Sequence, residues 1–297
     1  MAAGLATRQP ALPGSPALPL LHAILLGLTQ GLSEFLPISS SGHLLLVPWL
    51  FGWDDFGGEG GKDLEKAFDV ALHIGTVVAV LAYFRRDLVP LARAGMRSAR
   101  RRAVETPDER LAWLLLLSAV PGALTGALLD GFITEHLGAK WLIGVMLVVF
   151  GVVLLLADRR PATRPEAEFG LRDALMMGAA QAVALQPGVS RSGVTMSTAR
   201  WLKFDRDATA RISFLMSVPI TGGAVLYKVG KLFLVEGGIP DGFVGAFAAG
   251  IVASGVSGFG AVAFLIKLLR TRTFAPFVVY RVVVGAAVVA LAASSVR

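Results

Sequence analysis

The chain has 297 residues, of which 55% are hydrophobic and only 16% charged, with a mean hydropathy of +0.67. Soluble domains carry about 25% charged residues, so this composition argues against a soluble fold. The absence of cysteine excludes disulfides and thiolate metal sites. The net charge of +7 lies in short loops between apolar runs, where it orients a membrane protein rather than binding nucleic acid.

Residues 1–19 are rich in Ala and Pro and read as a flexible N-terminal tail; residues 20–297 read as a single integral membrane domain. Residues 20–51 are apolar but are interrupted by Glu34, Pro37, Ser39, Ser41, Gly42 and His43. The linker 52–66, "GWDDFGGEGGKDLEK", holds five acids and two lysines, and an apolar run covers 68–84. Residues 85–110 carry eight arginines against four acids, which by the positive-inside rule makes this loop cytoplasmic. Apolar runs follow at 111–129 and 141–157, then a second basic loop at 158–172. Residues 174–202 are apolar again but broken by Gln186, Pro187 and "GVSRSG". Runs at 211–229, 242–266 and 276–295 complete the chain, with a third basic loop at 267–273. Each of the six uninterrupted runs is long enough, or nearly so, to cross about 30 Å of hydrocarbon as a helix.

Counting loops leaves segments 20–51 and 174–202 each starting and ending on one side of the membrane. Both therefore read as re-entrant helical hairpins, 20–51 from outside and 174–202 from the cytoplasm. Irregular backbone at membrane depth is tolerated only when buried in protein or lining a wet cavity. The hairpins also match each other: "GLTQGLSEFLPISSSG" (27–42) resembles "GAAQAVALQPGVSRSG" (178–193). The expected fold class is an all-α polytopic membrane protein, an inverted-topology repeat of 20–157 and 171–297, with two re-entrant hairpins and six transmembrane helices. Such folds place their site near the midplane, where the broken helices meet.

The breaks carry chemistry. Gln30 and Glu34, at i and i+4, share a helix face. Pro37 disfavours helix at Leu36, Ser39 to Gly42 turn the chain, and a helix restarts near His43. In the second hairpin Pro187–Gly188 breaks the helix, Ser190, Arg191, Ser192 and Gly193 turn, and a helix resumes from Val194. Two helix N-termini then point into the turns and favour an anion, phosphate above all. Arg191 adds a planar fork suited to phosphate. Together with hydroxyls, one imidazole and one carboxylate, this set suits phosphoryl transfer. Asp69, His73 and Thr76 in "FDVALHIGT" are weaker candidates, expected to pack behind the site; His22 and His136 read as interfacial or loop residues. At least one of Ser39, Ser40 and Ser41 is expected to be a simple helix cap. A lipid or anion transporter (a flippase) is the main rival, since it would use the same paired hairpins and helix ends. His43 beside Glu34 is the feature that separates the two readings, because transport needs no general acid, base or nucleophile.

"QGLSEFLPISSSGH" and "LQPGVSRSG", with "FDVALHIGT", "FLMSVPI" and "RTFAPFVVYRVVVG" (272–285), resemble the undecaprenyl-diphosphate phosphatase family of the BacA/UppP type, linked to bacitracin resistance. The resemblance covers nearly the whole chain after residue 20. It implies a multi-pass enzyme of the bacterial inner (plasma) membrane that removes the terminal phosphate of a polyprenyl diphosphate, recycling the lipid carrier for cell-wall synthesis. It also implies a divalent cation, Mg2+ or Ca2+, and the same fold as the loop count. Partners implied are the lipid substrate and membrane lipids, with no nucleic acid; a homodimer is the association considered. The site is expected to face the periplasm or outside.

Under the resemblance Glu34, helped by Gln30, holds the metal or orients the attacking group. Ser40 or His43 is the nucleophile, or one activates the other; His43 could instead protonate the leaving phosphate. Arg191 neutralises charge on the transferred phosphoryl group. Ser190, Ser192 and Thr195 donate to the diphosphate, and Ser39, Ser41, Gly42 and Gly193 complete the substrate-binding turns. One position departs from the family's common pattern: Gln30 stands where a Glu is frequent, and it can ligate a hard cation only through a neutral oxygen.

Overall fold

The computed structural model describes residues 18–57, 61–235 and 238–294. All but the last two residues of the expected N-terminal tail, 1–19, lie outside the described residues. Among the described residues the regular structure is helical. Apart from an isolated pairing of Arg164 with Phe204, no β-structure occurs among the described residues.

Helix α1 (Leu20–Phe35) stops at Leu36, whose ψ of 142° is the extended backbone that Pro37 demands. Helix α2 (Ser40–Phe51) starts at once and ends at Gly52, which takes the left-handed C-terminal conformation with φ 68°. Helix α7 (Leu171–Val183) and helix α8 (Arg191–Trp201) form the corresponding pair around Pro187–Gly188. These four helices have 11 to 16 residues, so none reaches beyond about 24 Å, short of a bilayer core.

Among the described residues six other helices are long and apolar enough to cross a membrane. They are α3 (Gly61–Tyr83), α5 (Pro107–His136), α6 (Lys140–Asp158), α9 (Arg206–Leu234), α10 (Val244–Leu269) and α11 (Ala275–Ala293). Their apolar outer faces, with Leu128, Leu226, Val256 and Val283 exposed, suit lipid rather than water. The six expected runs all appear, but most are longer. Helix α3 extends back to Gly61 and takes in Lys62 to Lys66, which the sequence assigned to a linker. Hydropathy ends where charge begins, whereas Lys, Glu, Leu and Ala all favour helix.

The Arg-rich segment 85–110 is likewise not a plain loop. Helix α4 (Arg85–Arg101) buries Leu91, Ala94 and Ser98 on one face and exposes its arginines on the other. The 3.6-residue period survives the low hydropathy. Helix α5 then opens on a reciprocal cap: Thr106 Oγ1 accepts from Glu109 N, and the Glu109 carboxylate accepts from Thr106 N.

Small residues let the helices approach closely. Helix α1 lies against α10, where a Cβ on Gly31 would fall 2.0 Å from Ser257 Oγ. Helix α6 lies against α11, where a Cβ on Gly285 would fall 2.6 Å from Gly144 O. This is the packing expected where lipid removes the hydrophobic incentive and only close contact remains. One core joins the two broken segments: Phe35, Val80, Leu154, Met177, Met196 and Phe214 share it, with Phe35 edge-on to Phe214 at 5.5 Å. At one end Asp158 ties four helices together. It accepts from Arg206 Nε at 2.6 Å and from Phe274 N at 3.0 Å, and Arg200 Nε lies 3.5 Å away.

Candidate active site

The two Ser-x-Ser-Gly turns have the same local structure. Ser39 has φ 81° and ψ 96°; Ser190 has φ 74° and ψ 115°. Each serine hydroxyl caps its helix by accepting from the N–H three residues on, Gly42 at 3.4 Å and Gly193 at 3.1 Å. The helices therefore begin at Ser40 and Arg191, three residues earlier than the sequence suggested in each case. Positive φ in a non-glycine residue is costly and persists only where the surroundings enforce it.

The surroundings do so by locking the turns together. Ser39 Oγ also accepts from Gly188 N at 3.1 Å, and Ser192 Oγ donates to Leu36 O at 3.1 Å. Arg281, fully buried on α11, donates to Pro37 O in the first turn and to Gly188 O and Val189 O in the second, at 2.8–3.0 Å. It also donates to Leu147 O and Met146 O on α6. Arg281 thereby satisfies the carbonyls of both turns; any first-turn N–H group of α2 and α8 beyond those of Gly42 and Gly193, which the serine caps occupy, is of the kind that binds an anion.

Glu34 stands at the centre of this junction. Its Oε1 accepts from Arg191 Nη2 at 2.7 Å. Its Oε2 accepts from Ser40 Oγ and from Gln30 Nε2, the latter at 3.2 Å. His73 Nε2 stands 3.7 Å from Oε2. His73 Nδ1 lies 2.7 Å from Asp69 O, so it carries the proton and Nε2 is left to face the carboxylate. Thr76 donates to His73 O and supports that turn of α3. The chain thus brings Gln30, Glu34, Ser40, His73 and Arg191 together from α1, α2, α3 and α8.

His43 is placed differently from the expectation of a nucleophile or acid at Glu34. Its Nδ1 is 2.7 Å from Ser39 O and its Nε2 is 2.7 Å from Tyr280 Oη. The carbonyl fixes the proton on Nδ1, so Nε2 accepts from the tyrosine hydroxyl and neither nitrogen is free. His43 clamps the turn, and the imidazole at the carboxylate is His73, which the sequence reading ranked lower.

The expected diphosphate donors also divide. Ser190 is a cap, Ser192 holds Leu36 O, and Thr195, fully buried, bonds Arg191 O at 2.8 Å and Ser213 Oγ at 2.6 Å. Ser39 is likewise a cap, Gly42 and Gly193 supply the capped N–H groups, and Ser41 is exposed. Arg281 and Tyr280 were missed by the sequence reading. An arginine inside the apolar run 276–295 was the available signal, since intramembrane charges are functional by default.

Two buried polar atoms here have no partner among the described residues: Gln30 Oε1 and Arg191 Nη1. Gln30 Oε1 and the Glu34 carboxylate are oxygen donors of the kind a hard divalent cation takes, though with one carboxylate they need substrate oxygens to complete a shell. Among the described residues no group of three His, Cys, Asp or Glu is arranged to hold a metal by itself. Arg191 Nη1 is a buried donor without a partner, suited to a phosphoryl oxygen.

The model for the bacitracin resistance protein BacA family matches residues 23–287. Curated relatives named undecaprenyl-diphosphatase include a protein of Pelobacter propionicus, 47% identical over 92% of this chain and 97% of its own length. Others come from Pelotomaculum thermopropionicum, 44% identical over 92% of this chain and 97% of its own, and Geobacter sulfurreducens, 43% identical over 91% and 97%. The matched region contains both interlocked turns and every residue around Glu34, and on that footing the chain belongs to the bacitracin resistance protein BacA family.

Proposed function

We propose that this protein hydrolyses undecaprenyl diphosphate to undecaprenyl phosphate and inorganic phosphate, returning the lipid carrier to cell-wall synthesis. The observation that carries this reading is Glu34, held by Arg191 of one broken helix pair and bearing the Ser40 hydroxyl of the other. The names of the curated relatives support the substrate. A transporter would use the same helix ends, but it has no need of a serine hydroxyl seated on a carboxylate.

Phosphate oxygens compete with Glu34 for the Arg191 guanidinium, and Nη1 is already free to receive one. Binding of the diphosphate therefore draws Arg191 off Oε1, which makes the Glu34 carboxylate more basic at Oε2, where Ser40 already donates. The Ser40 proton passes to Glu34 as Oγ forms a bond to the terminal phosphorus. The bond from that phosphorus to the bridging oxygen breaks, and its electron pair leaves on undecaprenyl phosphate. His73, as the imidazolium with Nδ1–H held by Asp69 O, gives its Nε2 proton to the leaving phosphate; the neutral ring then takes a proton from the water that attacks the phosphoserine, and Glu34 returns its proton to Ser40 Oγ as the serine–phosphorus bond breaks. Arg191 and the N–H groups of both turns neutralise the equatorial oxygens throughout. Glu34 and Gln30 would hold Mg2+ or Ca2+, whose part when bound is to neutralise diphosphate charge.

The same reading gives the membrane arrangement. The α1–α2 and α7–α8 pairs are re-entrant hairpins of an inverted repeat, 20–157 and 171–297, within one domain. Their matched serine caps and their length support this. The Arg-rich helix α4 faces the cytoplasm, so Ser40 and Glu34 are reached from the periplasmic side of the bacterial inner membrane.

Purified full-length protein in detergent should release phosphate from farnesyl and undecaprenyl diphosphates, and Ser40→Ala should release none. A wild type that releases no phosphate refutes the activity, and an active Ser40→Ala variant refutes the serine nucleophile. Orientation is read by introducing single cysteines at Ser41 and at Arg100 and labelling intact cells with an impermeant maleimide. Reaction at position 41 alone is expected; reaction at position 100 alone reverses the arrangement.

A further inference from the structure

A furrow runs between α3 and α9 from one end of the membrane-crossing helices to His73, beside Glu34. On α3 its wall is Lys66, Val70, His73 and Val77; on α9 it is Thr221, Val225, Lys228 and Leu232. Both sets follow the spacing i, i+4, i+7, i+11, so each is one helix face. The furrow comprises cavities of about 180 and 230 Å³ that share Lys66, Val70 and Lys228. The inner cavity shares Thr221 with the cleft around Glu34, Thr76, Arg191 and Ser217. His73 lines the inner cavity and stands 3.7 Å from Glu34 Oε2, so the furrow has cationic groups at its mouth and ends beside the reactive carboxylate.

Lysines inside membrane-crossing helices are costly and call for a partner. Lys66 and Lys228 are exposed and face one another across apolar walls, and Lys231 stands at the rim. Asp69 lines the inner cavity and Asp63 the outer, so Lys66 and Lys228 stand among acids at the mouth while the walls beyond are apolar. Cationic heads on apolar walls match an amphiphile with an anionic head. An aqueous anion would gain nothing from Val70 and Val225, and a neutral lipid nothing from the lysines.

We propose that the α3–α9 furrow is the lateral path by which the lipid diphosphate reaches the site, and that Lys66 and Lys228 grip its diphosphate on the way. This rests on the phosphatase reading above. The isoprenoid tail stays among the exposed apolar residues of α9, such as Leu226 and Phe233, while the head moves inward. From Lys66 to His73 is two turns of α3, a travel of about 10 Å.

The test uses the full chain in nanodiscs, with phosphate release measured against undecaprenyl diphosphate concentration. The double variant Lys66→Gln, Lys228→Gln should raise KM about ten-fold with kcat within about two-fold, the pattern of lost ground-state binding. Lys66→Arg with Lys228→Arg should restore KM. Unchanged KM in the Gln pair, or a fall in kcat alone, overturns the lysine assignment.

A second measurement is independent of charge and of the folding of those variants. The native chain has no cysteine. Cysteines introduced at Val70 and Val225 are bridged by a bis-methanethiosulfonate reagent. Bridging should abolish turnover and reductant should restore it; turnover that persists in fully bridged protein overturns the path. A wild type without phosphatase activity defeats the functional reading itself, whereas an active wild type with indifferent variants defeats only the furrow.

Discussion

Arg191 donates to Glu34 across 2.7 Å of space and 157 positions of sequence. The pair is nearly excluded from solvent, with side-chain exposures of 15% and 7%. It is the only ion pair between the two broken helix pairs among the described residues.

Glu34→Gln keeps the shape of this contact and removes its charge. Catalysis should fall by at least about 100-fold, the usual range for loss of a general base. Folding should survive. Glu34→Ala should be less stable than Glu34→Gln, because it leaves Arg191 buried without any acceptor; stranding one partner of a buried pair costs about 3–5 kcal/mol. Arg191→Lys should also lose about 100-fold, since an ammonium cannot bridge carboxylate and phosphate at once. Phosphate release and thermal unfolding of the three variants check this. An active Glu34→Gln variant would remove Glu34 from the chemistry.

The two histidines should separate cleanly. His73→Ala is expected to lower kcat by about 100-fold with unchanged stability, as befits an acid–base group. His43→Ala should lower stability and activity together, because it frees Ser39 O and Tyr280 Oη. Tyr280→Phe removes only one hydrogen bond, worth about 1 kcal/mol, and should be a milder copy of His43→Ala. A dead His43→Ala of full stability beside a normal His73→Ala would return the role to His43.

Gln30→Glu places a second carboxylate one turn from Glu34. Without a cation the two repel; with one they chelate. Activity should therefore become strictly dependent on Mg2+ or Ca2+, half-saturating at a lower metal concentration than in the wild type. Titration after chelator treatment measures this. Metal dependence identical to that of the wild type would place position 30 outside any ion site.

Arg281→Lys retains a charge but cannot supply the five donations that Arg281 makes to Leu147, Pro37, Met146, Gly188 and Val189. The turns should loosen and kcat should fall about ten-fold, with KM little changed, because misplacement of donors is felt most in the transition state. Normal kcat in a folded Arg281→Lys variant would show that the turns hold their shape without the fork.

Much of this protein is determined locally and was therefore legible in the sequence. Apolar runs of spanning length give the six long helices whatever their neighbours. Pro37 and the Pro187–Gly188 pair stop helices through their own backbone restrictions, and Ser39 and Ser190 cap the next helix through a bond to a residue three positions on. Glu34 and Arg191 were legible as costly intramembrane charges. The tertiary structure decided which groups meet. His43 follows the turn directly in sequence, yet its ring is held by Ser39 and Tyr280; His73, thirty-nine positions from Glu34, is turned onto the carboxylate by the packing of α3 against α1. Side-chain direction on a helix depends on how that helix is rotated against its neighbours, and no local pattern encodes that rotation. The same reason hid Arg281, whose partners come from both turns and α6, and the meeting of Lys66 on α3 with Lys228 on α9.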